Sequence, residues 1–211
     1  MFFHRTGLGS VARFASAVVL ASALGTAVSA ATVVVDFEAF ADGDVLTTQL
    51  GGLTFGQTTV VTAGISLNEF EFPPRSGSNV VFDDGGAITI DFATPVFGVG
   101  GYFSYTSALT FSAYDSGNVL LDSRTSVFAN NLLSSGEVGS SPNEFVSFDD
   151  AGGRIARVVI SADPFGGSFV MDDLTLDTGN AVPEPDSLAL LLGAAGVGWL
   201  RGGRARRGRT S

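Results

Sequence analysis

Residues 31–180 predict an all-β domain, a single jelly-roll-like β-sandwich, and three observations carry the prediction. Short runs rich in Val, Ile, Phe and Thr recur along the whole segment. Gly, Asp and Asn clusters punctuate them, as in Asp83-Asp84-Gly85-Gly86, Asp115-Ser116-Gly117-Asn118 and Ala151-Gly152-Gly153. No window has the apolar period of an amphipathic helix. About 150 residues is the size of one domain and enough to bury a core without staples.

Taken in order, the predicted strands are Thr32–Glu38, Leu53–Phe55, Val80–Phe82, Ala87–Phe92, Val96–Ser104, Ala108–Asp115, Val119–Thr125, Phe145–Asp149, Ile155–Ser161 and Ser168–Leu176. Ala108–Asp115 shows the clearest alternation. Leu109, Phe111 and Ala113 fall on one face, and Thr110, Ser112 and Tyr114 on the other. The stretches around Pro73–Asn79 and Asn130–Asn143 read as long loops, and neither is long enough to divide the domain. Glycine clusters in this setting are hairpin turns rather than phosphate cradles.

The two ends of the chain carry addresses. Arg5 and Arg13 precede an apolar run from Phe14 to Val28, which closes on Val28-Ser29-Ala30. A basic start, a short apolar middle and small residues at the cleavage position make residues 1–30 a secretory signal peptide. At the other end, Val182-Pro183-Glu184-Pro185 is extended and accessible, because two prolines fix φ and remove two donors. The uncharged run Ser187–Leu200 follows, giving roughly 20 Å of helix against a hydrocarbon core of about 30 Å. Arg201, Arg204, Arg206, Arg207 and Arg209 then act as a stop-transfer signal on the cytoplasmic side. Trp199 sits at the boundary.

This motif, span and basic end resemble a PEP-CTERM sorting domain, covering residues 181–211. The resemblance implies export in a Gram-negative, polysaccharide-producing bacterium and transient anchoring in the inner membrane. It further implies cleavage by an exosortase and passage to the cell surface, extracellular matrix or biofilm. It gives an address and leaves the activity of the body open.

Composition removes several function classes. The body keeps every one of the 21 acidic residues except Glu184 and Asp186, and only Arg75, Arg124, Arg154 and Arg157 of the 11 basic ones. Its formal charge is therefore −15, and the chain has no lysine. Such a surface repels nucleic acid. Zero cysteines exclude disulfides and thiolate chemistry. The one histidine, His4, lies in the signal peptide, so the mature chain has no Ser-His-Asp triad and no His-ligated zinc. Paired carboxylates are the one hydrolytic route left, so a small secreted polysaccharide hydrolase stands as the alternative. The favoured function is non-catalytic association with exopolysaccharide.

Two groups of residues are candidates for binding. Asp36-Phe37-Glu38 runs into Asp42 and Asp44 after the first strand, and Asp172-Asp173 sits in the last. By parity Asp172 shares a face with Val170, Leu174 and Leu176, where an ionised carboxylate is costly unless paired or coordinated. With few arginines available, structural calcium held by Glu38, Asp42 and Asp172 is a reasonable partner; the alternative is that Asp172 caps a neighbouring backbone or faces solvent at a strand end. First and last strands often lie side by side in a jelly roll, which would bring these acids together. The pattern Phe37-Glu38 with Asp172-Asp173-Leu174 resembles galactose-binding-like, carbohydrate-binding-module β-sandwiches, and the resemblance implies a structural calcium there. Asp83-Asp84 and Asp149-Asp150 read as turn formers. The second group is aromatic: Gly100-Gly101-Tyr102-Phe103-Ser104-Tyr105 offers Tyr102 and Tyr105 for stacking on sugar rings.

Overall fold

The computed structural model describes residues 31–179, and the segments expected to be a signal peptide (1–30) and a sorting domain (181–211) lie outside them. Eleven strands form: β1 Thr32–Val35, β2 Leu53–Gly56, β3 Thr58–Thr62, β4 Asn79–Asp83, β5 Ile88–Val96, β6 Gly98–Tyr105, β7 Thr110–Tyr114, β8 Leu120–Thr125, β9 Glu144–Asp149, β10 Ile155–Ser161 and β11 Phe169–Asp177. There is no helix among the described residues. The first sheet runs β3-β4-β11-β6-β9, with β1 also paired to β11, and the second runs β2-β5-β10-β7-β8. Strand pairs within both sheets are antiparallel.

The core lies between the sheets. Phe103, Tyr105, Phe148, Phe169, Met171 and Leu174 from the first meet Phe55, Ile88, Ile90, Phe111, Val158 and Ile160 from the second. Ring centroids of Phe111 and Phe148 lie 4.8 Å apart, and those of Phe103 and Phe111 5.8 Å. Aromatic pairs at such spacings add to the area they bury. The alternation predicted for β7 holds, since Leu109, Phe111 and Ala113 all enter this core.

Three differences from the sequence reading have local causes. The first predicted strand stops at Val35, because Phe37 takes a φ of 60° and turns the chain. The strand β3 went unpredicted. It begins where Gln57, at φ 54°, lifts the chain from the second sheet into the first, so a second strand follows directly on Leu53–Gly56. The strand β5 runs on through Pro95 to Val96, because its pairing with β10 jumps from Asp91 to Val96. Proline is tolerated where a bulge removes the need for its N–H.

A smaller apolar cluster lies on the outer face of the first sheet. Val80 and Val170 are covered there by Leu67 and Phe72, from the long connection between β3 and β4. That connection and its continuation Pro73–Asn79 shape the site described next.

Candidate functional site

β11 changes face in its middle. Phe169 and Met171 point into the core, and so do Leu174 and Leu176. An odd step separates the two pairs, and it is taken up by a bulge between Asp172 and Thr175 with Asp173 at φ 47°. Asp172 therefore faces outward with Val170, away from Leu174 and Leu176. The parity that placed it with Leu174 and Leu176 fails at the bulge.

Asp172 is buried all the same, at 1% exposure, because the Pro73–Asn79 loop covers it. Its carboxylate accepts hydrogen bonds from the backbone N–H groups of Arg75 (2.7 Å), Ser76 (2.9 Å) and Asp173 (2.7 Å). Burial, outweighing these donors, pushes its pKa up to about 6. Asp173 accepts from the Ser76 hydroxyl at 2.7 Å. Further along the same loop, Glu38 accepts from the N–H groups of Ser78 (2.9 Å) and Asn79 (2.6 Å). The Asn143 amide donates to the Pro73 carbonyl at 3.1 Å. The loop is thus clamped along its length by side chains from three separate regions of the chain.

β1 does pair with β11, as the sandwich reading anticipated. Glu38 and Asp172 converge on one loop, but as acceptors for its backbone N–H groups. Asp42 acts elsewhere, accepting from the Thr62 N–H at 2.8 Å and from the Ser66 hydroxyl. Among the described residues no three His, Cys, Asp or Glu side chains are grouped to hold a metal ion. No buried side-chain N or O among them lacks a hydrogen-bond partner. Asp83 is more than a turn former. Fully buried at the end of β4, it accepts from the Ser168 N–H (2.8 Å), the Ser168 hydroxyl (2.7 Å) and the Phe169 N–H (3.0 Å), and burial raises its pKa.

The two candidate tyrosines part company. They are three residues apart on β6, and an odd offset sends side chains to opposite faces. Tyr105 is wholly buried in the core, with its hydroxyl donating to Glu144. Burial, helped by that bond, pushes its phenol up to about 12. Its ring has no surface to offer a ligand, which corrects its place among the stacking candidates. Tyr102 is half-buried on the outer face, directly across from Phe145 of β9 and Asp172 of β11.

Phe145, which the sequence reading did not single out, completes the site. It is 49% exposed, and its ring centroid lies 4.9 Å from that of Tyr102, the planes tilted by 45°. Gly100 makes this possible: a Cβ there would stand 2.8 Å from Phe145 Cζ, so the ring lies across a strand that has no side chain to lift it. From the clamped loop, the Arg75 guanidinium carbon stands 4.5 Å from the Tyr102 ring centre. Two rings and a cation therefore form one platform on the outer face.

A cleft of about 330 Å³ opens between the two sheets, lined by Val33, Val35 and Leu176 of the first and by Leu50 and Phe92 on the side of the second. Its walls are mainly apolar and bring no cluster of polar groups together, unlike the platform.

No family model matches the chain, so the PEP-CTERM resemblance rests on residues 181–211 themselves. No curated protein matches it either. Among solved structures it is similar to the K2 cleaved adhesin domain of Lys-gingipain, with 14% identity and a TM-score of 0.46 over 69% of this chain and 99% of that one. The K1 cleaved adhesin domain of Lys-gingipain from Porphyromonas gingivalis W83 gives 11% and 0.42, over 70% and 98%. CBM29_1, a family 29 carbohydrate binding module from Piromyces equi, gives 12% and 0.41, over 77% and 99%. At these values nothing about a ligand passes to this chain.

Proposed function

We propose that this is an exported cell-surface or extracellular-matrix protein whose β-sandwich binds exopolysaccharide without catalysis. In this reading the PEP-CTERM segment delivers the chain and an exosortase removes it. The observation that carries the binding role is the Tyr102–Phe145 pair, two neighbouring rings left partly open to solvent on an outer sheet face. Sugar rings present apolar C–H faces that such rings cover, while nearby polar groups fix orientation. The clamped loop holds one edge of the platform in place, which lowers the entropic cost of binding. The reading needs no calcium, because the acids beneath the loop already accept N–H donors.

Co-sedimentation of the full chain with the host's own exopolysaccharide tests this role. The wild type should pellet with the polymer, and Tyr102→Ala should stay in the supernatant while melting normally. Equal pelleting of both would remove the platform from the account. Delivery is tested separately: deleting Val182–Ser211 should leave the protein off the surface, and unchanged display would end the sorting reading.

A further inference from the structure

We propose that the polysaccharide recognised by the Tyr102–Phe145 face is acidic, with carboxylates on its sugar units, and that Arg75 is the group that selects it. This rests on the glycan-binding reading above and gives it a substrate class.

The four arginines of the body are not equivalent. Arg124 pairs with Asp122, Arg154 with Asp150, and Arg157 with Asp91. Arg75 makes no ion pair among the described residues, and no side-chain donor of Arg75 has an acceptor there. The acids nearest to it in the fold are already engaged: Asp172 holds the backbone of Arg75 and Ser76, and Asp173 holds the Ser76 hydroxyl. The guanidinium is left exposed beside Tyr102, in a domain whose carboxylates otherwise tie up their cations.

A guanidinium over a ring uses its face for the contact and keeps a planar fork of N–H donors. That fork matches a carboxylate in bidentate fashion, which an ammonium cannot do. The ring-to-ring and ring-to-cation separations of 4.9 and 4.5 Å put Phe145, Tyr102 and Arg75 on the scale of one sugar unit each. A uronate packed on the open Phe145 ring, and on the part of Tyr102 that Arg75 leaves uncovered, thus meets its counter-charge at the edge of the platform. Because the rest of the surface is strongly acidic, an anionic polymer is repelled everywhere else and confined to this face.

Affinity electrophoresis of the full chain in mild detergent tests the assignment. The gels contain polygalacturonate, alginate or xanthan, or polygalacturonate whose carboxyls have been reduced to alcohols, with cellulose and mannan derivatives as neutral polymers. The wild type should be retarded by at least one of the three acidic polymers, and the reduced polymer should bind about tenfold more weakly than its parent. Arg75→Ala should lose a similar factor, Arg75→Lys should recover only part of it, and Arg157→Ala should bind as the wild type does. Retardation by neutral polymers alone, or equally by polygalacturonate and its reduced form, overturns the acidic assignment and leaves glycan binding standing. Retardation by none of the polymers overturns both.

Discussion

The two outer faces of the sandwich are built from the same kinds of residue and used differently. On the second sheet, Tyr114 lies in register with Arg157, and Arg157 with Asp91. The arginine is tied down there: its side chain donates to Asp91 and, at 3.3 Å, to Asn118, while Ser112 and Ser123 bond across β7 and β8 at 2.9 Å. Arginine, aspartate and both serines find neighbours there, as on an ordinary solvated sheet. On the first sheet the acids are taken up by the backbone of the loop that covers them, and the arginine they might have paired is left on a tyrosine. The two faces thus differ in how their charges are partnered, and not in which residue types are present.

Removing the clamp should have the largest effect. Asp172→Ala strands the N–H groups of Arg75, Ser76 and Asp173, and should destabilise the fold by about 2–4 kcal/mol in urea unfolding. The matching change on the other face, Asp91→Ala, breaks an exposed pair and should cost about 1 kcal/mol or less. Equal losses would mean the clamp is not what sets the faces apart.

Binding should divide in the same way. Tyr102→Ala should weaken exopolysaccharide binding by about tenfold or more, roughly 1.4 kcal/mol, while Tyr114→Ala leaves the titration unchanged. A smaller loss, about three- to fivefold, is expected for Gly100→Ala, whose new methyl lifts the Phe145 ring. An unchanged affinity there would show that the ring need not lie flat.

The pH response of the clamp has a definite sign. Burial holds the Asp172 carboxyl at about 6, above its ordinary 3.8, so the folded state binds this proton more tightly. Its stabilising contribution is complete below about pH 4 and is lost as pH rises through about 6. The stability of the wild type relative to Asp172→Asn should therefore shrink between those values in parallel urea titrations. A growing difference would mean that the N–H donors outweigh burial. Chelation should have the smallest effect of all: EDTA should leave the melting temperature unchanged, and a marked drop would restore a cation to the Glu38–Asp172 region.

Much of the sandwich was legible from the sequence because strand alternation is local. Leu109, Phe111 and Ala113 announce their face without help from the rest of the chain. What was lost depended on single backbone conformations: Gln57 carrying the chain into β3, and Asp173 reversing the faces of β11. The tyrosines carried a usable signal, since Tyr102 and Tyr105 cannot share a face. The same odd spacing in Phe145–Phe148 requires one of those rings to point outward, and that signal was overlooked. Arg75 left no trace, because its position is fixed by Asp172, 97 residues away.

The most direct test is to map, residue by residue, the amide NMR shifts of the full chain in detergent as soluble fragments of the host's exopolysaccharide are added. The platform account predicts that the changes centre on Arg75, Gly100, Tyr102, Phe145 and Ser147, while Tyr114 and Arg157 stay still. Changes centred on the second sheet, or around Val33 and Leu50 at the apolar cleft, would contradict it.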